Sequence, residues 1–282
     1  MVLDEPRLTR LIEDALSEDI GRYDVTTEAI VPESYQGSAR LLLKQEGVLA
    51  GLEISSLVFH TVDEAIQFLP RAAEGVLLPS GTLIAAVSGS VQNMLKAERL
   101  ALNILQRMSG IATRTKRFVD AVAGTRAKIT DTRKTLPGMR ALDKRAVRMG
   151  GGVNHRFRLD EMVLIKDNHI AAAGGLSAAV ERCLSSLRRQ NPNLQVEVEV
   201  KTLGELEEVM KFNGIHRVML DNFSDSEMRK AVAMVNGKME LEASGGITLD
   251  TVRQIAETGV DLISVGALTH SAPALDISLE LD

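Results

Sequence analysis

The chain contains 282 residues, of which 45% are apolar and 25% charged, a balance typical of a globular protein that can bury a full core. Its net charge of −5 argues against a nucleic-acid surface, and no apolar run approaches the roughly 20 residues that a membrane-spanning helix needs. The acidic N-terminus, which includes Asp4, differs from a signal peptide, and the single cysteine, Cys183, cannot form an internal disulfide, so we expect a cytoplasmic protein.

The first part of the chain predicts a separate α+β domain of the sandwich-like type. A helix is expected at residues 8–19. Short alternating segments broken by Gly, Pro and Ser follow at residues 37–51, 65–70 and 82–91. This domain is connected to the rest of the chain by a helical stretch at residues 93–108, by Ser109–Gly110 and by a second helical stretch at residues 111–122. We place the N-terminal domain, with its linking helix, at residues 1–110.

From residue 126 onward, short β-branched apolar runs alternate with helical stretches, a pattern typical of βα units and a parallel sheet. Six strands are predicted, at residues 127–130, 162–166, 196–200, 217–220, 240–243 and 262–265. Polar residues and glycines follow each strand, so they gather at one edge of the sheet. An α/β barrel carries its active site at that edge, although an open doubly wound sheet would also bind ligands there. We predict an α/β barrel at residues 111–268 and a C-terminal segment, 269–282, that returns to the N-terminal domain.

The segment from Asp131 to Arg158 carries eight basic residues against two acidic ones, although the whole chain is acidic. We interpret three of them as a solvated helix face: Lys144, Arg145 and Arg148. Arg133, Lys134 and Arg156 fall outside that pattern, at strand and loop ends. An arginine offers a planar fork for carboxylate or phosphate, whereas a lysine acts as a movable point charge. The segment therefore indicates a small polyanionic substrate.

Two carboxylates stand at the ends of apolar strands, Glu199 and Asp221. The run VEVEV is unusual for a buried parallel strand, and Glu197 and Glu199 have the same parity, so both point to one face. A carboxylate facing a barrel interior needs a cation. Mg²⁺ suits such a site because it takes one or two protein carboxylates and leaves its other positions to water and phosphates. The alternative is a buried ion pair with Lys166 or Lys201.

Two glycine-rich loops are candidate anion sites. Gly150–Gly152 precedes the loop that contains His155, and glycines permit close backbone approach to an anion. Ser244–Gly246 is followed by Thr248, which we expect to open a helix, as in the phosphate sites of many barrels. An ordinary turn is the alternative in both places. No pair of histidines has the spacing of a zinc motif.

The run DTRKTLPGMRALDKRAVRMGGGVNHRFRLDEMVLIKDNHI at residues 131–170 resembles the core of the quinolinate phosphoribosyltransferases, the carboxylating nicotinate-nucleotide pyrophosphorylases. Further similar runs lie at residues 18–27, 97–115, 196–200, 218–223, 241–247 and 263–271. The resemblance implies an incomplete parallel α/β barrel, consistent with six strands, and a homodimer whose site mixes two subunits. One departure is Tyr23, where the family usually has glycine in a G-x-G-D turn, and this puts the local turn from Gly21 to Asp24 in doubt.

The reaction implied by the resemblance joins quinolinate to phosphoribosyl pyrophosphate with Mg²⁺, giving nicotinate mononucleotide, pyrophosphate and CO₂ in NAD biosynthesis. The quinolinate-binding residues it implies are Arg133, His155, Arg156 and Lys166, with Arg99 reaching in from the partner subunit. Lys134 would lie beside both substrates, and Glu199 and Asp221 would face the ribose and Mg²⁺. The loops that would hold the 5′-phosphate are Ser244, Gly245 and Gly246, and Ser264 to Gly266.

Three alternatives remain open from the sequence. A paralogous family linked to molybdenum transport and the nicotinate-using phosphoribosyltransferases share the fold. Arg133, Arg156 and Lys166 together favour a dicarboxylate, because a monocarboxylate would leave a buried cation unpaired. A barrel lyase that uses Lys166 as a Schiff-base lysine is a second possibility, and a non-catalytic binding barrel is a third.

Overall fold

The computed structural model describes residues 5–282, so residues 1–4 of the expected N-terminal domain, including Asp4, lie outside it. The helices are α1 (Glu5–Ile20), α2 (Val25–Ile30), α3 (Leu52–Val62), α4 (Val91–Ala121), α5 (Arg140–Met149), α6 (Asp167–Ala173), α7 (Leu176–Gln190), α8 (Leu203–Val209), α9 (Asp225–Val235), α10 (Val252–Ala256) and α11 (Ala267–His270). The strands are β1 (Gln36–Leu43), β2 (Gly47–Val48), β3 (Gln67–Pro70), β4 (Leu77–Leu78), β5 (Leu83–Ser90), β6 (Lys128–Thr130), β7 (Val163–Ile165), β8 (Val196–Val200), β9 (Arg217–Asp221), β10 (Glu240–Ser244), β11 (Leu262–Ser264) and β12 (Ile277–Leu281).

The chain forms two compact units, which we call the N-terminal unit and the barrel unit. The N-terminal unit comprises the chain up to Lys116, together with Thr135–Gly151 and Leu268–Asp282. The barrel unit comprises Arg117–Lys134 and Gly152–Ala267. The domain limits at residues 110 and 268 stay a prediction.

The N-terminal unit is built on an antiparallel sheet with the strand order β12-β1-β5-β3. In β1, Ala39, Leu41 and Leu43 are fully buried, because alternate side chains of a strand point to one face. The last strand of the chain, β12, pairs with β1 in a register that joins Ala39 to Leu281. The last strand of the chain therefore completes the sheet of the N-terminal unit.

A single helix, α4, runs through the place where the sequence placed Ser109–Gly110 between two helical stretches. Ser109 Oγ lies against the backbone of Ala50, accepting from its N–H at 3.0 Å and donating to its carbonyl at 3.1 Å. A Cβ on Gly110 would lie 2.0 Å from the Pro273 carbonyl oxygen. These two small residues therefore allow close packing of neighbouring backbone on the helix and do not break it.

Helix α5 corrects the prediction of a solvated basic face. Lys144 is fully buried, and Arg145 is mostly buried and forms ion pairs with Glu53 and Glu74, whereas Arg148 is exposed as expected. The neighbouring Asp143 is also fully buried and accepts two bonds from Arg107, both at 2.8 Å. Helix α5 is therefore a packed element of the N-terminal unit rather than a surface helix.

The glycine triplet that follows α5 has structural reasons for its composition. A Cβ on Gly150 would lie 2.3 Å from the Ala112 carbonyl oxygen, so this glycine allows α5 to approach α4 closely. Gly151 has φ +86°, a conformation that favours glycine, at the turn that ends α5. The turn interpretation of Gly150–Gly152 thus accounts for these residues without an anion.

The barrel unit contains the six predicted strands, and all of them are confirmed as one parallel sheet with the order β6-β11-β10-β9-β8-β7. This is the circular order of an α/β barrel, opened between β6 and β7. At that opening, Val153 makes an isolated parallel bridge to Thr130 of β6. The fold is therefore an incomplete α/β barrel, joined in the chain to an antiparallel α+β unit.

The register of this sheet sorts its side chains into two faces, because residues paired across parallel strands point the same way. One face is apolar and consists of Ile129, Val163, Ile165, Val196, Val198, Val200, Val218, Leu220, Leu241, Ala243 and Ile263. The other carries the polar residues Thr130, Glu197, Glu199, Arg217, Asp221, Glu240, Glu242, Ser244 and Ser264. The apolar face packs against helices, and the polar face lines the barrel interior.

Candidate active site

Polar side chains converge at the carboxyl edge of the barrel sheet. Arg133 and Lys134 follow β6, and Lys166 follows β7. Glu199 is the penultimate residue of β8, and Asp221 ends β9. Ser244 and Ser264 end β10 and β11. Since parallel strands end at the same edge, these residues lie around one opening, as in barrel enzymes.

Two arginines at this edge lie close enough to repel each other. Burial lowers the pKa of Arg156, the charge of Arg133 lowers it further, and Glu197 opposes both effects. Arg156 Nη1 donates to the Met162 carbonyl at 2.9 Å. Within residues 5–282, the Nε atom of Arg133 is buried and has no hydrogen-bond partner. Two neighbouring guanidinium groups could hold an anion of more than one charge.

The carboxylates Glu199 and Asp221 point to the same face from adjacent strands. Glu199 pairs in register with Met219, two residues before Asp221. Glu199 Oε2 accepts a hydrogen bond from Lys166 Nζ, so the ion pair that the sequence left open is present. Lys201 interacts chiefly with Asp167 and more weakly with Asp221 and Glu199, and together these raise its pKa. The carboxylates are thus held by cations while remaining at the edge of the barrel.

Asn222, which the sequence analysis did not single out, connects Asp221 to the loop Ser244–Gly246. It adopts a left-handed conformation with φ +57°, which asparagine tolerates better than most residues. Its side-chain Nδ2 donates to Asp221 Oδ2 at 3.1 Å, and its backbone N–H donates to the Ser244 carbonyl at 2.9 Å. A Cβ on Gly245 would lie 2.1 Å from Asn222 Oδ1. Asn222 therefore contacts both the glycine-rich loop and the Asp221 carboxylate.

The helix after this loop starts later than the sequence indicated. Helix α10 begins at Val252 with Thr251 at its N-cap, and the Thr248 carbonyl accepts from Val252 N at 3.0 Å. A short turn from Thr248 to Thr251 thus separates Ser244–Gly246 from a five-residue helix. Gly245 and Gly246 have φ values of +102° and +57°, so the loop itself requires glycine.

A buried cluster, the His155 cluster, lies on the interior face and consists of His155, Glu197, Glu242 and Arg217. Glu197 and Glu242 are fully buried, and one oxygen of each, Oε1, has no hydrogen-bond partner within the described chain. His155 Nε2 lies 3.0 Å from Glu197 Oε2 and 3.6 Å from Glu242 Oε2. Arg217 Nη1 donates to Glu242 Oε2 at 3.2 Å and also lies 3.9 Å from Glu197 Oε2.

Burial dominates the electrostatics of this cluster. It raises the pKa of Glu197 and of Glu242 to about 7, although Arg217 opposes the shift at both residues. His155, Glu197 and Glu242 bring three potential metal-ligand atoms within 4.8 Å of one another. Arg217 already supplies a cation to both carboxylates, so an ion pair accounts for the cluster. Glu242 was missed from the sequence, although its strand was predicted.

The remaining predicted residues are distributed as follows. Lys134 is exposed, and the side chain of His155 is 6% exposed. Arg99 lies in the N-terminal unit on α4, where its side chain is 56% exposed and 3.9 Å from Glu98. Tyr23 is also exposed, while Asp24 caps α2 by accepting from Thr27 N at 3.0 Å. The turn that contains Tyr23 is therefore accommodated without loss of the Asp24 cap.

None of the helices described between residues 5 and 282 is both long enough and apolar enough to span a bilayer.

Comparison with known proteins gives consistent matches along the chain. Residues 24–109 match the model of the quinolinate phosphoribosyl transferase N-terminal domain, and residues 111–280 match that of its C-terminal domain. A tobacco protein named decarboxylating, mitochondrial quinolinate phosphoribosyltransferase 2a is 42% identical over 98% of this chain and 82% of its own length. The chloroplastic, carboxylating nicotinate-nucleotide pyrophosphorylase of Arabidopsis thaliana is 43% identical over 98% of this chain and 83% of its own.

Solved structures agree with the sequence matches. The crystal structure of NadC from Streptococcus pyogenes has a TM-score of 0.94 and 38% identity, with 100% of this chain and 99% of that chain covered. A human nicotinic acid phosphoribosyltransferase has a TM-score of 0.63 at 13% identity, covering 99% of this chain and 74% of that chain, a likeness of fold alone.

Proposed function

The chain belongs to the quinolinate phosphoribosyltransferase family, and from this premise we propose that the carboxyl edge of its barrel binds both substrates of that reaction. The enzyme transfers the phosphoribosyl group of phosphoribosyl pyrophosphate to quinolinate with decarboxylation. The products are nicotinate mononucleotide, pyrophosphate and CO₂, and the reaction belongs to NAD biosynthesis.

The observation that carries the site assignment is the pair Arg133 and Arg156. Their mutual repulsion and the unpartnered Nε of Arg133 are relieved by a ligand that brings two negative charges. Quinolinate has two adjacent carboxylates, and each guanidinium can hold one in a bidentate manner. We assign Lys166 to the same dicarboxylate as a third cation, with His155 supporting the arginines from the barrel interior.

We propose that Glu199 and Asp221 hold Mg²⁺ together with phosphate oxygens of the cosubstrate. Two carboxylates on one face, with hard oxygen donors and an open edge, suit this ion. Asp221 is fixed by Asn222, and Glu199 by Lys166, so both are oriented before any ligand arrives. The ion, when bound, offsets negative charge on the departing pyrophosphate.

The rest of the site is assigned to the cosubstrate. We propose that the 5′-phosphate binds the loop Ser244, Gly245 and Gly246 and the segment from Ser264 to Gly266, where glycine backbone and hydroxyl groups supply donors. Lys134 is exposed after β6 and lies beside both substrates in this assignment. Gly245 and Gly246 both have positive φ values, and neither adds a side chain of its own to this loop.

The chemistry then follows from position and charge. The bond between the ribose C1′ and pyrophosphate breaks while the quinolinate nitrogen bonds to C1′, and positive charge that builds on the ribose is stabilised by Glu199 and Asp221. The ring nitrogen becomes cationic. Its positive charge therefore stabilises the electron pair that stays on the adjacent ring carbon when the bond to the departing CO₂ breaks, and protonation of that carbon completes the product. The protein needs mainly to orient and desolvate the reactants.

One assay tests the proposed substrate preference. The purified protein is incubated with phosphoribosyl pyrophosphate and Mg²⁺, and nicotinate mononucleotide is followed with quinolinate or nicotinate as the acceptor. We expect quinolinate to be the better acceptor, with CO₂ and pyrophosphate released in equal amounts. Faster turnover of nicotinate would contradict the dicarboxylate assignment and favour the nicotinate-using alternative. Binding of quinolinate without product would favour a non-catalytic barrel.

The Schiff-base alternative has less support. Lys166 Nζ forms an ion pair with Glu199, whereas a Schiff-base lysine must present its nitrogen to a substrate carbonyl carbon. Borohydride treatment in the presence of a keto acid should leave Lys166 unmodified, and a covalent adduct at this residue would overturn the assignment.

We further propose a homodimer in which Arg99 of the partner subunit reaches the quinolinate site. The support is the side chain of Arg99, which is 56% exposed and lies 3.9 Å from Glu98. Arg99→Ala and Arg133→Ala should each abolish activity alone. Mixing the two variants should restore part of it, because some dimers then contain one intact shared site. Each variant mixed with itself is the control, and absence of rescue after proven subunit exchange would contradict a shared site.

We also propose a cytoplasmic location. The support is the single cysteine, Cys183, which is free and partly buried, as expected in a reducing compartment. Fractionation of the source cells would test this, and recovery in a membrane or organelle fraction would contradict it.

A further inference from the structure

The His155 cluster has a geometry that the proposed reaction does not by itself explain. The four side chains lie on the interior face, and their carboxylates are fully buried. Burying two carboxylates costs free energy even beside an arginine, and one oxygen of each has no hydrogen-bond partner within the described chain. An apolar interior would cost less free energy to bury, so packing alone does not explain the cluster.

The hydrogen bonds of His155 fix its ring and its tautomer. The Arg156 backbone N–H donates to His155 Nδ1 at 2.8 Å, so Nδ1 carries no proton. The proton of the neutral ring is therefore on Nε2, which donates to Glu197 Oε2 at 3.0 Å. The backbone N–H of His155 donates to the buried Asp131 at 2.9 Å. The ring is thus fixed at both nitrogens, and the backbone at residue 155 is fixed as well.

This arrangement reaches the substrate site through the backbone of Arg156. The bond to His155 Nδ1 fixes the amide of Arg156, and the bond from Nη1 to Met162 fixes the guanidinium end. Glu197 also attracts the charge of Arg156 directly, against the repulsion from Arg133. Two independent effects of Glu197 therefore hold Arg156 beside Arg133.

Glu197 is itself held by the rest of the cluster. Arg217 lies between Glu197, Glu242 and Glu240, with Nη2 at 2.8 Å from Glu240 Oε2. Glu240 accepts two hydrogen bonds from Arg217, and its side chain is 56% exposed, whereas Glu197 and Glu242 are fully buried. Arg217 therefore binds two buried carboxylates near His155 and one exposed carboxylate.

We propose that Glu197 is a positioning residue for the dicarboxylate: it holds the His155 ring by Nε2–H and thereby fixes Arg156 next to Arg133. This inference rests on the proposed function, because it assumes that the two arginines bind quinolinate. Glu197 does not touch the substrate, and its role is preorganisation of a cationic pair that would otherwise separate.

Steady-state kinetics with three variants test the proposal. Glu197→Ala should raise the KM for quinolinate by about tenfold or more and leave the KM for phosphoribosyl pyrophosphate within about twofold. Glu197→Gln should retain most of the quinolinate affinity, since its amide oxygen can still accept from Nε2–H. Glu240→Gln is the matched control: it also removes a carboxylate from Arg217, but it should leave both KM values unchanged. Equal loss of affinity for both substrates in Glu197→Ala would show a merely structural role and overturn the proposal.

Nitrogen NMR of the histidine ring gives a test that needs no turnover. In the wild-type protein, His155 should be neutral with its proton on Nε2, and Glu197→Gln should keep that tautomer. A proton on Nδ1 in the wild type would overturn the proposal whatever the kinetics. The two failures are distinguishable: an inactive wild-type enzyme with the expected tautomer would contradict the proposed function, whereas an active enzyme with the other tautomer would contradict only the role of Glu197. The tautomer measurement also stands if Glu197→Ala fails to fold.

Discussion

Replacing Gly245 by alanine is the sharpest test of how the barrel loops are built. The new Cβ would lie 2.1 Å from Asn222 Oδ1 and 3.1 Å from the Asn222 backbone nitrogen. Overpacking of this kind costs about 1–3 kcal/mol, and an alanine at positive φ adds about 1–2 kcal/mol. We therefore expect Gly245→Ala to lower the free energy of unfolding by about 2–5 kcal/mol.

Gly246→Ala is the matched control, because it isolates the backbone effect. Gly246 also has a positive φ, +57°, but within residues 5–282 no atom outside Gly246 and its two chain neighbours lies within 4 Å of the position of its Cβ. Its cost should be about 1–2 kcal/mol, from the backbone conformation alone. Urea unfolding followed by circular dichroism compares the two variants with the wild type. Equal losses in both would refute the close contact between Gly245 and Asn222 as the reason for glycine.

The same substitution should affect catalysis through Asn222. To make room, the Asn222 side chain must rotate, and it then loses the 3.1 Å bond that holds Asp221 Oδ2. We expect kcat of Gly245→Ala to fall by about tenfold or more, which corresponds to one lost orienting hydrogen bond to a charged group. Unchanged kcat in a folded Gly245→Ala protein would show that Asn222 does not orient Asp221 for the reaction.

Two other predictions concern protein stability, one for the barrel unit and one for the N-terminal unit. The pKa values of Glu197 and Glu242 rise from 4.5 to about 7 on folding. At a pH between these two values, the native state therefore keeps protons that the unfolded state has lost. Stability should therefore fall as the pH rises from about 4.5 to about 7, and Glu242→Gln should flatten this slope in pH-dependent urea unfolding; an unchanged slope would contradict it. In the N-terminal unit, Gly110→Ala should destabilise by about 1–3 kcal/mol, because its Cβ would meet the Pro273 carbonyl oxygen at 2.0 Å. Gly204→Ala in α8, where the nearest atom is 3.8 Å away, should instead stabilise by about 0.5–1 kcal/mol, and a loss of equal size in both would exclude the clash as the cause.

The parallel strands could be predicted because their residues repeat a simple pattern. Strand β8 was found with the correct bounds, and the two acids in VEVEV showed that one of its faces is polar. Glu242 was missed, although β10 also carries two acids of the same parity, Glu240 and Glu242. The run ELEAS does not by itself show which side chains these acids meet in neighbouring strands. That depends on the register with β9, where Glu242 pairs with Met219. Pairing between strands distant in sequence is not encoded in the pattern of either strand.

Helix α5 shows a feature that the pattern within a single element did not predict, the burial of its basic face. Its basic residues have the spacing of a solvated face, yet Lys144 is buried. The helix lies in the sequence between two segments of the barrel unit, but Thr135–Gly151 belongs to the N-terminal unit, where Asp143 binds Arg107 of α4. Periodicity describes the faces of a helix and cannot tell which element covers them. A buried polar side chain is consequently predictable only when its partner is known.

On the interior face of the barrel, the residues proposed to bind substrate and the buried residues proposed to hold them in place lie at different positions along the strands. Glu197 and Arg217 pair in register one layer before Glu199 and Met219, so the buried cluster lies deeper than the carboxylates at the edge. In the deeper layer, Arg217 interacts with Glu197 and Glu242. In the proposed assignment, the cations at the edge bind two anions, quinolinate and phosphoribosyl pyrophosphate, and Arg133 and Arg156 among them repel each other in the free enzyme. A buried carboxylate beneath Arg156 reduces that repulsion without competing for the substrate, because it is not accessible to it. On this reasoning, the buried acids support the basic site, and removing the Glu197 side chain should weaken dicarboxylate binding before it weakens the fold.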